Sequence, residues 1–363
     1  MTVPSAPRVL VIGAGNAGQA MAGYIAGYSR ASVTVYDKSE VAVLPILEKG
    51  GIELIGPIAS GFQVVTATTS LEEAVAGAQL ILIAVPANEH GTVARDLAAF
   101  ANRDQCVVLC PGYVGGTLIL RRELGRMGVR RPPTLAETTT MPFASRLVGR
   151  AAVGIKGVKK ILHVAALPSG STNKAVALLT SVFSQRLIIG QNVLEVGLNN
   201  PNPITHVPLT VLNWGRIEGQ EFETHFDYHS WISRGIQTVI DALDAERVRL
   251  MELLGLHPIG HEEFNTMSYD RSWQIVSAVE DLPPSAWTIP PRFLDEDVPC
   301  GLVPICSLSA QVGLPTPVAE SLVGVASLLR GRDFRSEGRT VTSLGLEGME
   351  KSDILKALEE ASS

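Results

Sequence analysis

"RVLVIGAGNAGQAMAGYIAG", residues 8–27, decides the fold of the first half of the chain. A β-branched apolar run breaks at glycines and continues as a helix rich in small residues, the pattern of a buried strand feeding a helix. Gly13, Gly15 and Gly18 spell G-x-G-x-x-G. Gly13 permits the tight turn, Gly15 lets the backbone approach a pyrophosphate, and Gly18 lets the helix pack on the strand. Asn16 and Ala17 open the helix, whose free N–H groups face phosphate oxygens. A glycine-rich turn can also serve packing alone, so the flanking sequence matters. "SVTVYD", residues 32–37, is a second strand ending in Asp37, about 20 residues past the last glycine, where an acid holds ribose hydroxyls. Strand, turn, helix and acid together predict a dinucleotide site. Asp37 favours NAD(H), because a carboxylate repels a 2′-phosphate at close range. Lys38 and Ser39 follow it and leave NADP(H) possible.

Working outward, "QLILIAVP" (79–86) and "QCVVLCPG" (105–112) read as further strands, with a helix from about Asn88 to Phe100 between them and another from about Gly116. Ligands of doubly wound sheets lie beyond the carboxyl ends of strands, so Pro86 in "VPANEH" and the loop "PGYVGGT" are placed at the nicotinamide end. Asn88 reads as a helix cap and His90 as a structural first-turn residue. "AAVGIKG" (151–157), "KKILHVAALPSG" (159–170), a helix over Thr172 to Ser184 and "RLIIG" (186–190) continue the pattern, with His163 structural in its strand. Residues 1–190 are therefore assigned to a Rossmann-type dinucleotide-binding domain. Beyond Gln191 helical periodicity takes over, as in 230–256, closed by Gly255. Residues 191–363 are assigned to an all-α domain, giving an α/β chain of two domains. The proline-rich stretch 280–293 reads as a long loop walling a site.

The 363 residues exceed what one core usually supports, and 46% hydrophobic content suits two buried cores. A net charge of −6 offers no basic surface for nucleic acid. No stretch has the length of a membrane span, and the N-terminus lacks a signal-peptide pattern. Cys106, Cys110, Cys300 and Cys306 match no zinc or redox spacing and read as reduced, which points to the cytoplasm. No pair among His225, His229, His257 and His261 sits beside enough acids or cysteines for a metal, so none is expected.

His206, inside "PNPITHVPLTVLN" (201–213), is the chemically informative residue. A lone imidazole in an apolar segment is more often a satisfied structural histidine. Three stretches weigh against that: "NPNPITHVPLTVLNWGR" (200–216), "LDEDVPCGLVP" (294–304) and "DFRSEGRTVTSLGLEGM" (333–349). Through them, and along nearly its whole length, the chain resembles the octopine and nopaline dehydrogenases, the opine dehydrogenase family, and most of all its bacterial members acting on norvaline-like amino acids. The resemblance implies NAD(P)H-dependent joining of an amino acid's amino group to a 2-oxo acid, commonly pyruvate. It also implies a catalytic histidine and aspartate, which fall on His206 and Asp297. A carboxylate on one ring nitrogen fixes the tautomer and orientation of an imidazole and favours its cation, which can protonate a leaving oxygen and attract a substrate carboxylate.

Asp295 and Glu296 adjoin Asp297, and an acidic run is usually a solvated turn; its place before "CGLVP" singles out Asp297. Asn202 and Arg216 are candidate substrate contacts, although Arg216 could equally pair with Glu218 or Glu221. Trp214, Trp273 and Trp287 favour an apolar or aromatic amine, while Glu221, Glu223 and Asp227 could serve a cationic one. A ketopantoate reductase or glycerol-3-phosphate dehydrogenase type would need a lysine acid, for which Lys174 reads as a mere surface residue. An NAD-binding sensor without turnover is the remaining alternative. Helical domains of this kind often pair, so a homodimer is expected.

Overall fold

The computed structural model describes residues 6–219, 231–268 and 292–359. The glycine turn does what its spacing requires. Gly13 sits at φ 109°, and a Cβ on Gly18 would lie 1.7 Å from the Gly13 carbonyl oxygen, so only glycine allows the turn to close under the helix Asn16–Tyr28.

Among the described residues twelve strands follow in chain order: β1 (Arg8–Ile12), β2 (Ser32–Tyr36), β3 (Gly51–Ile55), β4 (Gly61–Val64), β5 (Thr66–Thr68), β6 (Leu80–Ile83), β7 (Cys106–Leu109), β8 (Thr134–Thr138), β9 (Phe143–Gly149), β10 (Ala152–Val158), β11 (Ile161–Leu167) and β12 (Arg186–Ile189). Eight of them form one sheet in the order β12-β11-β8-β7-β6-β1-β2-β5. All neighbours in it are parallel except β8 and β11. Its central strands β6 and β7 are buried at every residue, as a sheet covered on both faces demands.

A second sheet, β4-β3-β10-β9, was not foreseen. Of its strands only β10 matches an apolar run of the sequence; β4 is largely exposed, and β3 and β9 are only partly buried. Asn16 links the two: its Oδ1 accepts the Leu147 amide at 2.7 Å, and Ser145 Oγ donates to its carbonyl at 3.1 Å.

After β12 the chain is helical throughout the described residues. The helix Arg234–Leu254 buries Ile236, Ile240, Leu243, Leu250, Met251 and Leu254 on one face and ends at Gly255, φ 72°. The Asn88–Phe100 segment differs from expectation. Pro86 starts a 3-10 turn over Ala87–Glu89, with Glu89 N–H donating to the Pro86 carbonyl, and the α-helix runs only from His90 to Leu97. Asn88 is therefore an exposed turn residue rather than a cap. The helix at Thr172 likewise stops at Thr180. All four cysteines are free. No helix among the described residues is long and apolar enough to cross a membrane.

Candidate active site

The dinucleotide end is built by backbone. Gly13 N–H donates to the Tyr36 carbonyl at 2.8 Å, and Ala14 N–H to Asp37 Oδ2 at 2.9 Å, so the acid that ends β2 also ties down the turn. Ser39 N–H donates to its other oxygen. Gly15 is exposed, and a Cβ there would meet no protein atom within 4 Å. Protein packing therefore does not demand a glycine at 15, whereas close approach of a diphosphate does. Ala17 lies beside it at the open end of the helix, and Pro86 is exposed at the end of β6. Asn16 is at the helix start too, but its side-chain oxygen is engaged by β9. Lys38 pairs with Glu89 at 3.6 Å on the surface.

The acid end is built by two helical segments. Asn202–Leu212, with Pro203 in its first turn and Pro208 inside it, presents His206, which is 8% exposed. The second segment runs from Arg292 to Gln311 through a π-turn at Val298–Leu302, an irregularity frequent at functional sites. The segments meet at Gly301, where a Cβ would fall 2.3 Å from Pro203 Cγ. This close approach brings Asp297 to His206: Oδ2 lies 2.9 Å from Nδ1. Phe293, one turn earlier on the same face, stacks on the imidazole at 3.7 Å and 4° between planes.

The acidic run is not solvated. Asp295 takes Arg330 bidentately at 2.9 Å, Glu296 Oε1 accepts the Ala87 amide at 2.8 Å, and Asp297 is fully buried. Each acid has its own task, and one of them joins the helical segment to the loop after β6.

Several contributors are not singled out by their local sequence. Tyr113, in the loop after β7, donates its phenol proton to Asp297 Oδ1 at 2.9 Å. Burial first, then the Asp297 and Glu296 charges, raises its pKa well above the ordinary tyrosine value. Arg339, 6% exposed, reaches from the tail to the carbonyls of Gly112, Val114 and Ala87 at 2.9, 3.0 and 2.7 Å and to His90 Nδ1 at 3.1 Å. His90 is accordingly structural, and burial followed by the Arg339 charge lowers its pKa well below the usual value. At the end of β8, Thr139 and Thr140 keep buried hydroxyls without a partner among the described residues, as does Asn200 Nδ2.

The two candidate substrate contacts lie in different surroundings. Asn202 donates its backbone N–H to Asn200 Oδ1, within the loop that starts the His206 helix. Arg216 is exposed, with its guanidinium 3.8 Å from the ring centre of Trp231. Trp231, Leu209 and Phe293 form one apolar cluster, which lies between Arg216 on Trp231 and His206 on Phe293. No ion pair with Glu218 occurs among the described residues. Glu221, Glu223, Asp227, His225, His229, Trp273, Trp287 and nearly all of the 280–293 loop lie outside them. His257 pairs with Glu195 at 3.0 Å and His261 with Asp244 at 3.1 Å. His163 is buried in β11, which lowers its pKa, and Lys174 is a surface residue.

A glycine-turn sheet followed by a helical domain with a buried histidine–aspartate pair defines a nicotinamide-dependent oxidoreductase. Residues 189–330 match the alpha-helical domain of the NAD/NADP octopine/nopaline dehydrogenases, and residues 8–118 match the N-terminus of NAD-dependent glycerol-3-phosphate dehydrogenase. Over 357 residues the chain is 32% identical to opine dehydrogenase of Arthrobacter sp. (strain 1C), covering 96% of this chain and 98% of that one. Octopine dehydrogenase, solved with NADH and pyruvate, has the same fold with a TM-score of 0.76 at 16% identity, covering 98% and 99% of the two chains. Yersinopine dehydrogenase, solved with NADP+, gives 0.70 at 17%, covering 98% of each. The chain belongs to the opine dehydrogenase family. It is an NAD(P)-dependent oxidoreductase for reductive condensation of a 2-oxo acid with an amino group.

Proposed function

We propose that His206 is the proton donor of this condensation, that Asp297 holds and orients it, and that pyruvate or a close analogue is the 2-oxo acid. The observation that carries this reading is the buried Nδ1–Oδ2 contact of 2.9 Å. With Nδ1 engaged by a carboxylate, proton exchange with substrate runs through Nε2. There the imidazolium protonates the oxygen lost as water when the amine and oxo acid form an imine, and its charge attracts the oxo acid's carboxylate. The reduced nicotinamide, when bound, supplies the hydride to the imine carbon.

Gly13, Gly15, Ala17, Gly18 and Asp37 would hold the dinucleotide, Asn16 would do so through its backbone, and Pro86 would border the nicotinamide. Asp37 favours NAD(H), since both oxygens are fixed where a 2′-phosphate would approach. The apolar cluster of Leu209, Trp231 and Phe293 beside His206 favours an apolar or aromatic amino acid as the amine, with Arg216 and Asn202 at its margin. The division between domains falls near residue 190, just after β12. Four unpaired cysteines suit the cytoplasm, and exposed Val325 and Leu328 suit a homodimer.

The test is NADH oxidation with pyruvate, with and without a panel of amino acids and amines. Consumption only when both substrates are present supports the reading. Oxidation with pyruvate alone would make the enzyme a ketone reductase.

A further inference from the structure

The loop after β7 is held more firmly than a turn requires. Tyr113 stands at φ 57°, the left-handed region that residues bearing a Cβ avoid. Both neighbours are gripped: Gly112 N–H donates to the Thr138 carbonyl, Val114 N–H to the Cys300 carbonyl, and Arg339 Nη1 to the carbonyls of Gly112 and Val114. Such a conformation persists only where its surroundings over-determine it, and it concentrates at functional positions. What it secures here is the direction of one phenol, 1% exposed, donating to Asp297 Oδ1.

Three constraints then act on the imidazole. The Phe293 stack sets the plane of the ring but lets it slide and turn within that plane. The bond to Asp297 Oδ2 stops the turning. Asp297 itself has a broad terminal torsion, as any aspartate does, so its second oxygen must be anchored for the first to stay in place. Tyr113 is that anchor.

We propose that Tyr113 is a positioning residue for proton transfer at His206, supplied from the sheet side so that the loop ending β7 aims the donor. The proposal rests on the reading of His206 as the proton donor. Tyr113 touches neither the reacting atoms nor the glycine turn in this arrangement; it acts through Asp297. Its raised pKa keeps it a donor over the working pH range.

The experiment is a cycle of Tyr113→Phe, Asp297→Ala and the double variant, with His206→Ala as control, each checked for folding by thermal melting and for NADH binding. Tyr113→Phe should lower kcat about ten- to a hundredfold, as misplacement of a reacting group by a fraction of an ångström to an ångström does, while KM for both substrates and NADH affinity stay near the parent's. Added to Asp297→Ala it should cost nothing further. A parent kcat for Tyr113→Phe, even with a lower melting temperature, overturns the proposal. So does a second full loss in the double variant, which would mean that the phenol acts elsewhere. Parent turnover in His206→Ala would remove the underlying reading instead, and inactive His206→Ala beside fully active Tyr113→Phe would overturn this proposal alone.

Discussion

Arg339→Met removes the clamp between the tail and the sheet while keeping most of the aliphatic volume. Three carbonyls, of Ala87, Gly112 and Val114, lose a charged donor at 2.7, 2.9 and 3.0 Å, and His90 Nδ1 loses one at 3.1 Å. The guanidinium is buried, so water does not replace it readily. At about 1–2 kcal/mol for each stranded carbonyl the loss is about 3–6 kcal/mol. At roughly 2 °C per kcal/mol for a large chain, the melting temperature should fall by about 6–12 °C. The carbonyls sit in the loops after β6 and β7, so NADH binding should weaken as well. Arg339→Lys should fall between, because an ammonium has no planar fork to span three acceptors. Thermal melting by circular dichroism and fluorescence titration with NADH read both effects. A melting temperature within about 2 °C of the parent, less than the loss of a single kcal/mol would give, would refute the clamp.

Asp297→Asn keeps the shape of the pair but offers Nδ1 an amide donor, so kcat should fall by about two to four orders of magnitude, as loss of a buried charge partner worth about 3–5 kcal/mol implies; steady-state rates check it. Asp37→Ala should weaken NADH and raise the NADPH to NADH preference by at least about tenfold, measured as the ratio of kcat/KM values. Glu137 is fully buried, and desolvation pushes its carboxyl up from 4.5 to about 7. Its folded pKa thus exceeds its unfolded one, so its stabilising contribution is complete below about pH 4.5 and is lost as the pH rises to about 7, to the extent of about 3 kcal/mol. Denaturant titrations of the parent and Glu137→Gln across that window should converge at low pH and favour the glutamine variant above neutrality.

What could be read from the chain was local in character. The glycine turn, Asp37 and the apolar runs of β1, β6, β7 and β11 follow from hydrophobic pattern and from backbone requirements that single residues declare. The second sheet escaped because β3, β4 and β9 are partly exposed and carry no continuous apolar run. His206 and Asp297 lie 91 positions apart, and nothing in either neighbourhood announces the other; a resemblance paired them before the geometry did. The acidic run 295–297 looked solvated because a run of like charges usually is, yet each member finds a separate partner that only tertiary packing supplies. Tyr113 and Arg339, although in stretches that the pattern marks as informative, are not singled out there for the same reason: their value lies in contacts 184 residues or more away in the chain.

The most direct measurement is turnover of His206→Ala with NADH, pyruvate and the best amine, alongside NADH affinity. A proton donor at this position requires binding close to the parent's and a kcat lower by about two to four orders of magnitude. Undiminished turnover would return the residue to a purely structural place in the helical core.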